Sequence, residues 1–462
     1  MLNFKIKNIK LLLVFIYLLF FPFFLTGNTS IISETGANDN INNERTPMIN
    51  DATDVSLLWT YNDSFDSGDV IDVAISADGF YSSIGIDYNV TLFERTSNES
   101  IWSYEAWDAI DYIRMSEDGM YFFARFDRDQ CVFLNRTSND EMWSRGYGSA
   151  TDLALDISAN GEYAVIGTNW LDDCVYFFNK SYTSGFKNPE WSDKPGEDII
   201  DVAISANGSY IVAIDTDWRC FIYNNSNFPT FPDKYDLDFD GDALCLDISD
   251  DGKYVVVGTN DDKVFLFNAW SGNEVWNCTL TDDVEKVDIS DNGKFFITTT
   301  KDNTTSYFSI ASKIPLWNYT SSSMSVLDFA TTADGKYVVI GYGTPLTSPG
   351  NGRVQLLESS TGNLIWDDIQ FNITSVAISD DGKYFITGGE VAYLFYYDIP
   401  TESTGDGNDD DTEVSPGMEL TLFAITFSIF CGIAGIMIGL GYYYNKYPEK
   451  VKRFTKNMRK RR

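Results

Sequence analysis

A short alternation of apolar and polar positions occurs eight times along the chain and ends each time in a polar turn. Each copy reads hydrophobic-x-hydrophobic-Ser/Thr-x-Asp/Asn-Gly-x-aromatic. The copies are Val73–Tyr81, Ile113–Tyr121, Leu155–Tyr163, Val202–Tyr210, Leu246–Tyr254, Val287–Phe295, Phe329–Tyr337 and Val376–Tyr384. Their glycines are 40 to 47 residues apart. A repeat of this period, made of short strands and glycine turns, predicts a β-propeller with one blade per repeat.

The segment from Leu246 to Trp276 shows how one repeat predicts one blade. Apolar and polar residues alternate up to the turn at Asp250–Gly252, as they do in a half-buried strand. Three more strand-like runs follow, separated by polar turns at 260–262 and 270–273. Four antiparallel strands form one blade, and such a blade must stack on its neighbours because it cannot bury both of its faces alone.

The two ends of the repeat array complement each other. A lone fourth strand, Leu57–Asn62, precedes the first copy, whereas the last blade has only three strands and stops at Val391–Asp398. Pairing of these ends would remove two exposed sheet edges. The sequence therefore predicts an all-β, eight-bladed β-propeller over residues 55–398, closed by its N-terminal strand.

A tryptophan recurs in the predicted fourth strands. The equivalent positions hold Trp59, Trp102, Trp143, Trp191, Tyr235, Trp276, Trp317 and Trp366. The segments 266–276 and 356–366 resemble the tryptophan-docking repeat of eight-bladed quinoprotein-type propellers, and the Ser-x-Asp-Gly-Lys-Tyr phrase resembles WD40-like repeats. The resemblance implies that a Thr/Ser-Gly turn leads into a strand whose tryptophan packs on the next blade. It implies no single activity, since propellers host many unrelated functions.

The charge of the chain is strongly acidic and unevenly distributed. The net charge of the 462 residues is −35, but residues 446–462 alone carry +8, which leaves −43 on residues 1–445. An acidic surface of this kind argues against nucleic acid as a partner and favours cations, basic partners or a salty medium. The acidic charge is also explained if it simply keeps a surface protein soluble. The chain has no histidine, which excludes Ser-His-Asp and Cys-His catalytic sites and histidine-ligated metals.

The segments outside the repeats predict that the protein is located at the cell membrane. Residues 1–27 combine a basic start with an apolar run, as a secretory signal peptide does, with an uncleaved anchor as the alternative. Residues 28–54 are a polar leader, and residues 399–417 an acidic linker. Residues 418–445 predict one transmembrane helix, and the basic tail 446–462 marks the cytoplasmic side. The propeller would then lie outside the cell.

Two local motifs refine this topology. Gly435 and Gly439 form a GxxxG motif, a candidate homodimer contact in the membrane. Ser415–Gly417 resembles archaeal C-terminal surface-sorting signals, although the long basic tail departs from that pattern. An outside propeller also fits its Asn-x-Ser/Thr sequons, which fall mostly on the outer strands. We expect glycosylation at Asn62, Asn98, Asn135, Asn179, Asn224, Asn277 and Asn318.

The cysteines predict neither redox nor zinc chemistry, because no Cys-x-x-Cys spacing occurs. Cys131, Cys174 and Cys220 open third strands of consecutive blades, where equivalent positions are too far apart for disulfides. They are expected to be small buried apolar residues. Cys245 and Cys278 lie on adjacent blades, and a disulfide between them is left open.

One acidic segment resembles a calcium loop. Asp236, Asp238, Asp240 and Asp242, with Gly241 at the bend, place oxygens at alternate positions as a calcium loop does. The later positions depart from the pattern, because Leu244 and Asp247 stand where further ligands are expected. A solvated acidic turn explains the segment equally. Calcium is therefore the only cofactor that the sequence suggests.

The predicted first strands carry charged residues that should face the central channel. Arg114, Asp156, Asp247 and Asp288 stand two residues before the anchor serine, and Asp72, Asp201, Lys286 and Asp328 lie on the same strand face. They fit either a charged ligand or ion site, or salt bridges and hydrogen bonds between blades. They form no recognisable catalytic set.

These observations favour a membrane-anchored surface propeller that binds a protein, glycan or ion without catalysis. The alternative is a quinoprotein-like or other propeller enzyme with its active site at the channel mouth. A quinone enzyme would offer calcium and, in the alcohol dehydrogenases that share this fold, an adjacent cysteine pair, which this chain lacks. A transmembrane sensor is less favoured, because a tail of 17 residues is too short for a folded output domain.

Overall fold

The computed structural model describes residues 55–61, 69–127, 129–148, 153–170, 172–182, 186–238, 241–322, 324–343, 351–371 and 373–399. The predicted signal peptide, leader, transmembrane helix and basic tail, and the linker from residue 400 onward, lie outside these residues. Within the described ranges, no helix has the length and apolar character needed to cross a bilayer.

The described chain forms 32 β-strands. β1 (Val55–Tyr61) comes first. Blade 1 follows with β2 (Val70–Ile75), β3 (Tyr81–Ile86), β4 (Asn89–Glu94) and β5 (Ser100–Glu105); blade 2 has β6 (Ile110–Met115), β7 (Tyr121–Phe126), β8 (Gln130–Asn135) and β9 (Ser138–Gly146). Blade 3 has β10 (Leu153–Ile157), β11 (Tyr163–Thr168), β12 (Val175–Asn179) and β13 (Trp191–Asp193); blade 4 has β14 (Ile199–Ile204), β15 (Tyr210–Asp215), β16 (Arg219–Asn224) and β17 (Asp233–Asp238).

The second half repeats this order. Blade 5 has β18 (Ala243–Ile248), β19 (Tyr254–Thr259), β20 (Lys263–Asn268) and β21 (Asn273–Thr279); blade 6 has β22 (Val284–Ile289), β23 (Phe295–Thr300), β24 (Thr304–Ser309) and β25 (Trp317–Thr320). Blade 7 has β26 (Ser325–Thr331), β27 (Tyr337–Gly343), β28 (Asn351–Glu358) and β29 (Asn363–Phe371); blade 8 has β30 (Ser375–Ile378), β31 (Tyr384–Gly388) and β32 (Ala392–Tyr397).

The strands form eight four-stranded antiparallel sheets, which confirms the eight-bladed propeller predicted from the repeats. The predicted closure is also confirmed, because β1 supplies the fourth strand of blade 8. It pairs antiparallel with β32, so that Val55 lies opposite Tyr397 and Tyr61 opposite Ala392. First strands of neighbouring blades contact each other around the whole ring, so they line its axis.

The hydrophobic core lies between the blades. Eight clusters of buried side chains occur, and each combines residues of two neighbouring blades. Between blades 2 and 3, for example, Trp143 is fully buried. Its ring centroid lies 5.1 Å from that of Phe133 in its own blade and 5.1 Å from that of Phe178 in the next. Blade stacking, rather than any single sheet, therefore creates the core.

The repeated phrase closes the turn between the first and second strands of each blade. In blade 1, Ser76 Oγ accepts a hydrogen bond from the Tyr81 amide at 3.0 Å and donates one to Asp78 Oδ1 at 2.8 Å. Asp78 Oδ1 in turn accepts from the Phe80 amide at 2.9 Å. Gly79 has a φ of 63°, which a residue without a side chain adopts readily.

The same glycine makes the contact between blades. A Cβ added to Gly161 would lie 2.3 Å from Cδ2 of Tyr121, the aromatic residue of the preceding copy. Gly79 of blade 1 meets Tyr384 of blade 8 in the same way, so this contact also crosses the closing seam. The phrase therefore encodes both a turn and a packing surface for the next blade.

The fourth-strand tryptophans dock as the resemblance to quinoprotein-type propellers implies. The indole nitrogens of Trp102, Trp276 and Trp317 donate to backbone oxygens of the following blade at 2.9, 2.8 and 2.6 Å. A Cβ on Gly362, in the outer turn of blade 7, would lie 2.9 Å from the ring of Trp317. Tyr235 replaces tryptophan in blade 4 and packs against Gly272 in the corresponding way.

The five described cysteines are free thiols, so the possible disulfide between Cys245 and Cys278 is not formed. The prediction that these two cysteines lie on adjacent blades was wrong, because β18 and β21 are the first and fourth strands of the same blade. Cys131 and Cys220 are buried, as predicted, whereas Cys174 is only partly buried because it precedes β12 rather than lying within it.

Replacing the turn glycine should weaken the contact between blades. We expect Gly161→Ala to lower the free energy of unfolding by about 3 kcal/mol, because the methyl group adds left-handed backbone strain and a clash with Tyr121. Gly148→Ala is the matched control, since Gly148 also has a positive φ but has no atom within 4 Å of its Cβ position. It should cost about 1 kcal/mol, from backbone strain alone. Urea unfolding of the full chain measures both, and equal losses would contradict a role for the Tyr121 contact.

Candidate functional site

Six of the aspartates on the first strands form two levels along the axis. Asp72, Asp201 and Asp328 lie four residues before the anchor Ser or Thr, whereas Asp156, Asp247 and Asp288 lie two residues before it. Each carboxylate accepts a hydrogen bond from a backbone amide of the next blade. The donors, in the order of these six aspartates, are Ile113 (2.8 Å), Leu246 (2.9 Å), Val376 (2.7 Å), Ile204 (2.9 Å), Ile289 (2.7 Å) and Thr331 (3.0 Å).

These six contacts share one geometry. Counted back from the anchor Ser or Thr of its own blade, the accepting aspartate always stands one residue earlier than the donating amide does in the next blade. The other two seams use different groups. Arg114 reaches both neighbours of blade 2, with its guanidinium nitrogens 4.0 Å from Asp72 Oδ2 and 3.9 Å from Asp156 Oδ1. At the closing seam, Ser375 Oγ lies 2.7 Å from Asp72 Oδ1 and 3.0 Å from Asp328 Oδ2. The channel acids thus hold neighbouring first strands together.

Burial raises the pKa of these channel acids. The pKa of Asp201 is raised to about 6, chiefly by burial and against two backbone hydrogen bonds that lower it. Burial also raises the pKa of Asp72 and Asp156, although Arg114 opposes both shifts. Asp247 has a pKa well above its ordinary value because it is buried and lies near Asp288. The ring therefore favours bound protons or nearby cations, such as Lys286, which pairs with Asp328.

The structure places all four predicted channel residues, Arg114, Asp156, Asp247 and Asp288, on first strands beside the axis. Each one contacts a neighbouring blade, so the observed partners are those of contacts between blades. A ligand role for these residues stays a prediction.

A second acidic group, which the sequence reasoning missed, closes one end of the channel. Side-chain oxygens of Glu117, Asp250 and Asp291 lie within 4.8 Å of one another. All three follow the anchor serine directly, and Asp380 holds the same position in blade 8. Alanine holds this position in the other blades. The recurrence of an acid or an alanine directly after the anchor was the available signal in the sequence.

A ring of backbone hydrogen bonds fixes this level of the channel. The Ala77 amide donates to Glu117 O at 2.8 Å, and the Glu117 amide donates to Ala159 O at 2.9 Å. Across the closing seam, the Asp380 amide donates to Ala77 O at 3.0 Å. Successive blades thus bring their acidic residues to a common level near the axis.

Mutual repulsion adds to burial at this end. Burial, followed by the charge of Asp250, raises the pKa of Glu117 to about 7 and that of Asp291 to about 8. The same causes raise the pKa of Asp380 to about 6. Carboxylates in such an arrangement can share protons near neutral pH, and their oxygens are of the kind that divalent cations prefer.

The two faces of the ring differ sharply in charge. We call the face with the first-to-second and third-to-fourth strand turns the Asp-Gly face, and the other the connection face. Among the described residues, the turns and connections of the connection face hold 17 acids and two bases, Lys194 and Lys301. Those of the Asp-Gly face hold 13 acids and nine bases. The connection face therefore carries most of the uncompensated negative charge.

Aromatic and aliphatic side chains are exposed on the same connection face. Trp107 is 62% exposed, and Tyr88 stands on the second-to-third strand turn of blade 1. Ile71, Leu244 and Leu327 are also exposed. Each of these three stands at a register shift near the start of a first strand, where the regular strand pairing is interrupted.

A second group of three carboxylates belongs to this face. Asp262 stands on the second-to-third strand turn of blade 5, and Asp282 and Asp283 precede blade 6. Their oxygens lie within 4.8 Å of one another, and Lys301 Nζ lies 3.2 Å from Asp283 Oδ2. One base thus partly neutralises the group.

The segment that resembles a calcium loop is partly strand. Asp236 and Asp238 lie in β17, where Asp236 pairs with Lys234 at 3.4 Å. Asp242 accepts hydrogen bonds from the Trp218 indole and, at 2.6 Å, from Asn260 Nδ2, so both of its oxygens already have protein donors. Asp240 lies outside the described residues. Calcium binding here stays a prediction, and a calcium titration of the wild type against Asp238→Asn measures it.

Of the asparagines at which we expect glycosylation, those within the described residues lie on the outer two strands or the turn between them. Asn135, Asn179 and Asn224 end third strands, and Asn277 and Asn318 lie in fourth strands. Asn98 is in the outer turn of blade 1 and donates to Thr60 O at 3.1 Å. Asn62 lies outside the described residues. Glycosylation itself stays a prediction.

Comparison with known proteins supports the repeat type. Residues 239–389 match the PQQ_2 family, described as outer membrane protein assembly factor BamB. No curated protein matches the chain. Among solved structures, the β-propeller domain of Myceliophteria thermophila Cps50 (Swd1) is similar, with 8% identity and a TM-score of 0.49, over 74% of this chain and 99% of that one. The fold and the matched repeats define an eight-bladed propeller with PQQ-like repeats.

The raised pKa values predict that stability falls as pH rises. Glu117, Asp291 and Asp380 have folded-state pKa values of about 6 to 8, above the value of about 4 expected when unfolded. Between about pH 4 and pH 8 the folded state therefore binds more protons than the unfolded state, so the stability that these groups contribute is fully present below about pH 4 and is lost as the pH rises through about 8. Thermal unfolding of the full chain across this range measures the effect.

The Asp291→Asn variant should flatten this dependence and unfold at a higher temperature than the wild type at pH 8. Glu99→Gln, which removes an exposed acid of an outer turn, is the control and should leave the pH dependence unchanged. A wild-type protein that becomes more stable between pH 5 and pH 8 would contradict the raised values.

Proposed function

We propose that this chain is a membrane-anchored cell-surface protein whose propeller is a non-enzymatic binding or scaffold module for a protein, glycan or ion. One observation carries the proposal: the connection face combines 17 acids against two bases with exposed tryptophans, whereas the opposite face is nearly balanced. Exposed aromatic residues and a concentrated charge of one sign are typical of recognition surfaces.

The proposed address rests on the sequence. The signal peptide 1–27, the transmembrane helix 418–445 and the basic tail 446–462 together place the propeller outside the cell. The sequons favour the same side, because the outer strands that carry them leave room for glycans. Pairing of two copies through Gly435 and Gly439 would double the number of binding faces at one point of the membrane.

Two observations favour binding over catalysis. The carboxylates of the six first-strand aspartates are engaged in contacts between blades, as the bonds of Asp156 and Asp201 to the next blade show. The family that matches residues 239–389 is described as an outer membrane protein assembly factor, and this description names no reaction.

The enzymatic alternative has one observation in its favour. Glu117 and Asp291 have raised pKa values of about 7 and 8, a range suited to acid–base catalysis near neutral pH. A quinoprotein-like enzyme would show the absorbance of a bound quinone in the purified protein, and that result would replace the binding proposal.

Single cysteines on the two faces test together whether the propeller lies outside the cell and which of its faces binds a partner. Ala109 and Ala311 are both exposed, the first on the connection face and the second on the Asp-Gly face. Intact cells that express Ala109→Cys or Ala311→Cys are treated with a membrane-impermeant maleimide photocrosslinker, and the adducts are identified by mass spectrometry. Both cysteines should be labelled, but a recurrent partner should crosslink only through residue 109.

The outcomes separate the two parts of the proposal. Lack of labelling at both positions would contradict an outside propeller. Labelling without a recurrent partner at residue 109, or with the same partner through residue 311, would contradict the connection face as the binding surface. The wild-type chain is the background control, because Cys131, Cys220 and Cys245 are buried whereas Cys174 and Cys278 are only partly buried and can contribute labelling of their own.

A further inference from the structure

Two tryptophans stand in corresponding turns of neighbouring blades on the connection face. Trp170 and Trp218 occupy the turns between the second and third strands of blades 3 and 4. Their side chains are 61% and 53% exposed, although tryptophan is among the residues that gain most from burial. Neither position therefore contributes its full apolar area to the core.

The backbone at both positions is strained for a bulky residue. Trp170 and Trp218 each have a φ of 69°. The corresponding turns of other blades use small polar residues that tolerate this conformation, namely Asp87, Asp127, Asp262 and Asn303. A bulky non-glycine residue is disfavoured in the left-handed region because its Cβ comes too close to the following carbonyl oxygen. Such strain on an exposed side chain is more typical of a functional position than of a structural one.

One aspartate ties the two turns into a single patch. Asp198 Oδ1 accepts a hydrogen bond from the Trp170 amide at 2.6 Å, and Asp198 O accepts one from the Thr216 amide at 3.1 Å. Thr216 belongs to the same turn as Trp218. The Trp218 indole donates to Asp242, which fixes the orientation of its ring. The Trp218 ring is therefore held in place, and the backbone that carries Trp170 is anchored to the same aspartate as the neighbouring turn.

The surroundings of the patch are strongly negative. The described turns and connections of blades 3 and 4 on this face hold Asp172, Asp173, Glu197, Asp198, Asp217 and Asp242. Lys194 is their one base, and its Nζ lies 2.9 Å from Asp173 Oδ2. Arg219, at the start of β16, pairs with the buried Asp215 at 2.8 Å. The cations near the patch thus already have acidic partners, and negative charge remains in excess.

We infer that the Trp170–Trp218 patch binds a lysine- or arginine-rich segment of a protein partner. This inference rests on the proposed function and names the partner class for the connection face. The aromatic rings would accept the cationic side chains through cation–π contacts, and the surrounding carboxylates would attract and pair with them. An anionic lipid surface or a nucleic acid would be repelled by the same carboxylates. A neutral glycan could stack on the rings but would gain nothing from the excess charge.

Fluorescein-labelled decalysine is the probe that tests the patch. Its binding to the full-length protein is followed by fluorescence anisotropy at about 150 mM salt, where distant charges are screened. The double variant Trp170→Asn/Trp218→Asn keeps every acid and should bind roughly tenfold more weakly, since two cation–π contacts are lost. Its melting temperature should be unchanged or higher, because asparagine tolerates a positive φ.

Trp270→Asn is the matched control. Trp270 is 50% exposed, but it lies in the third-to-fourth strand turn of blade 5, on the Asp-Gly face. The ammonium of Lys253 already lies 5.5 Å from its ring centroid. Decalysine binding should therefore be unaffected by this change. A lower melting temperature of the double variant would instead show that the two tryptophans are structural.

The remaining outcomes separate this inference from the proposed function. Equal decalysine binding by the wild type and the double variant would contradict the inference that the Trp170–Trp218 patch binds a basic segment. If residue 109 still crosslinks to a partner in cells, the connection face would stand and only this partner class would fail. Tryptophan-dependent binding of neutral oligosaccharides, with no binding of decalysine, would replace the basic segment by a glycan. Without crosslinks at residue 109, the proposed function itself would fail.

Discussion

The rest of the structure depends on one contact. It joins the turn glycine of each blade to the aromatic side chain of the blade before it. A four-stranded blade leaves two apolar faces that only neighbouring blades can cover. The pairs Gly161–Tyr121 and Gly79–Tyr384 show the same close approach in the middle of the ring and at its closing seam. Fourth-strand tryptophans repeat the principle at the outer edge, where Trp317 meets Gly362. Each blade is therefore completed by the next.

The same dependence accounts for the acids in the channel. Carboxylates near the axis accept hydrogen bonds from backbone amides of the following blade, as Asp201 does from Leu246. They therefore join strands that belong to different sheets. Their raised pKa values show that this role places acidic groups in a buried, crowded setting. Recognition is then left to the faces, where loops differ between blades without disturbing the seams. The exposed Trp170 and Trp218 are variations of this kind.

Much of the fold was predictable because its signals are local and periodic. The spacing of the Asp-Gly turns predicted eight blades, the unpaired strand near Trp59 predicted the closure, and Tyr235 was recognised from its position alone. The carboxylate group of Glu117, Asp250 and Asp291 was not predicted, because these residues are far apart in sequence and only the closed ring brings them together. The strain at Trp170 also escaped prediction, since it depends on backbone angles rather than on composition.

Closure by β1 has a mechanical consequence. Val55, the first residue of β1, lies opposite Tyr397, the last residue of β32. The first strand of the ring therefore begins beside the point where the last strand ends. A pull on the chain beyond Tyr397 would act along β32, which is hydrogen-bonded on one edge to β31 and on the other to β1. Such a load shears two ladders at once instead of peeling one strand from an open edge. A ring closed in this way can bear tension through its last strand while its two faces keep their shape.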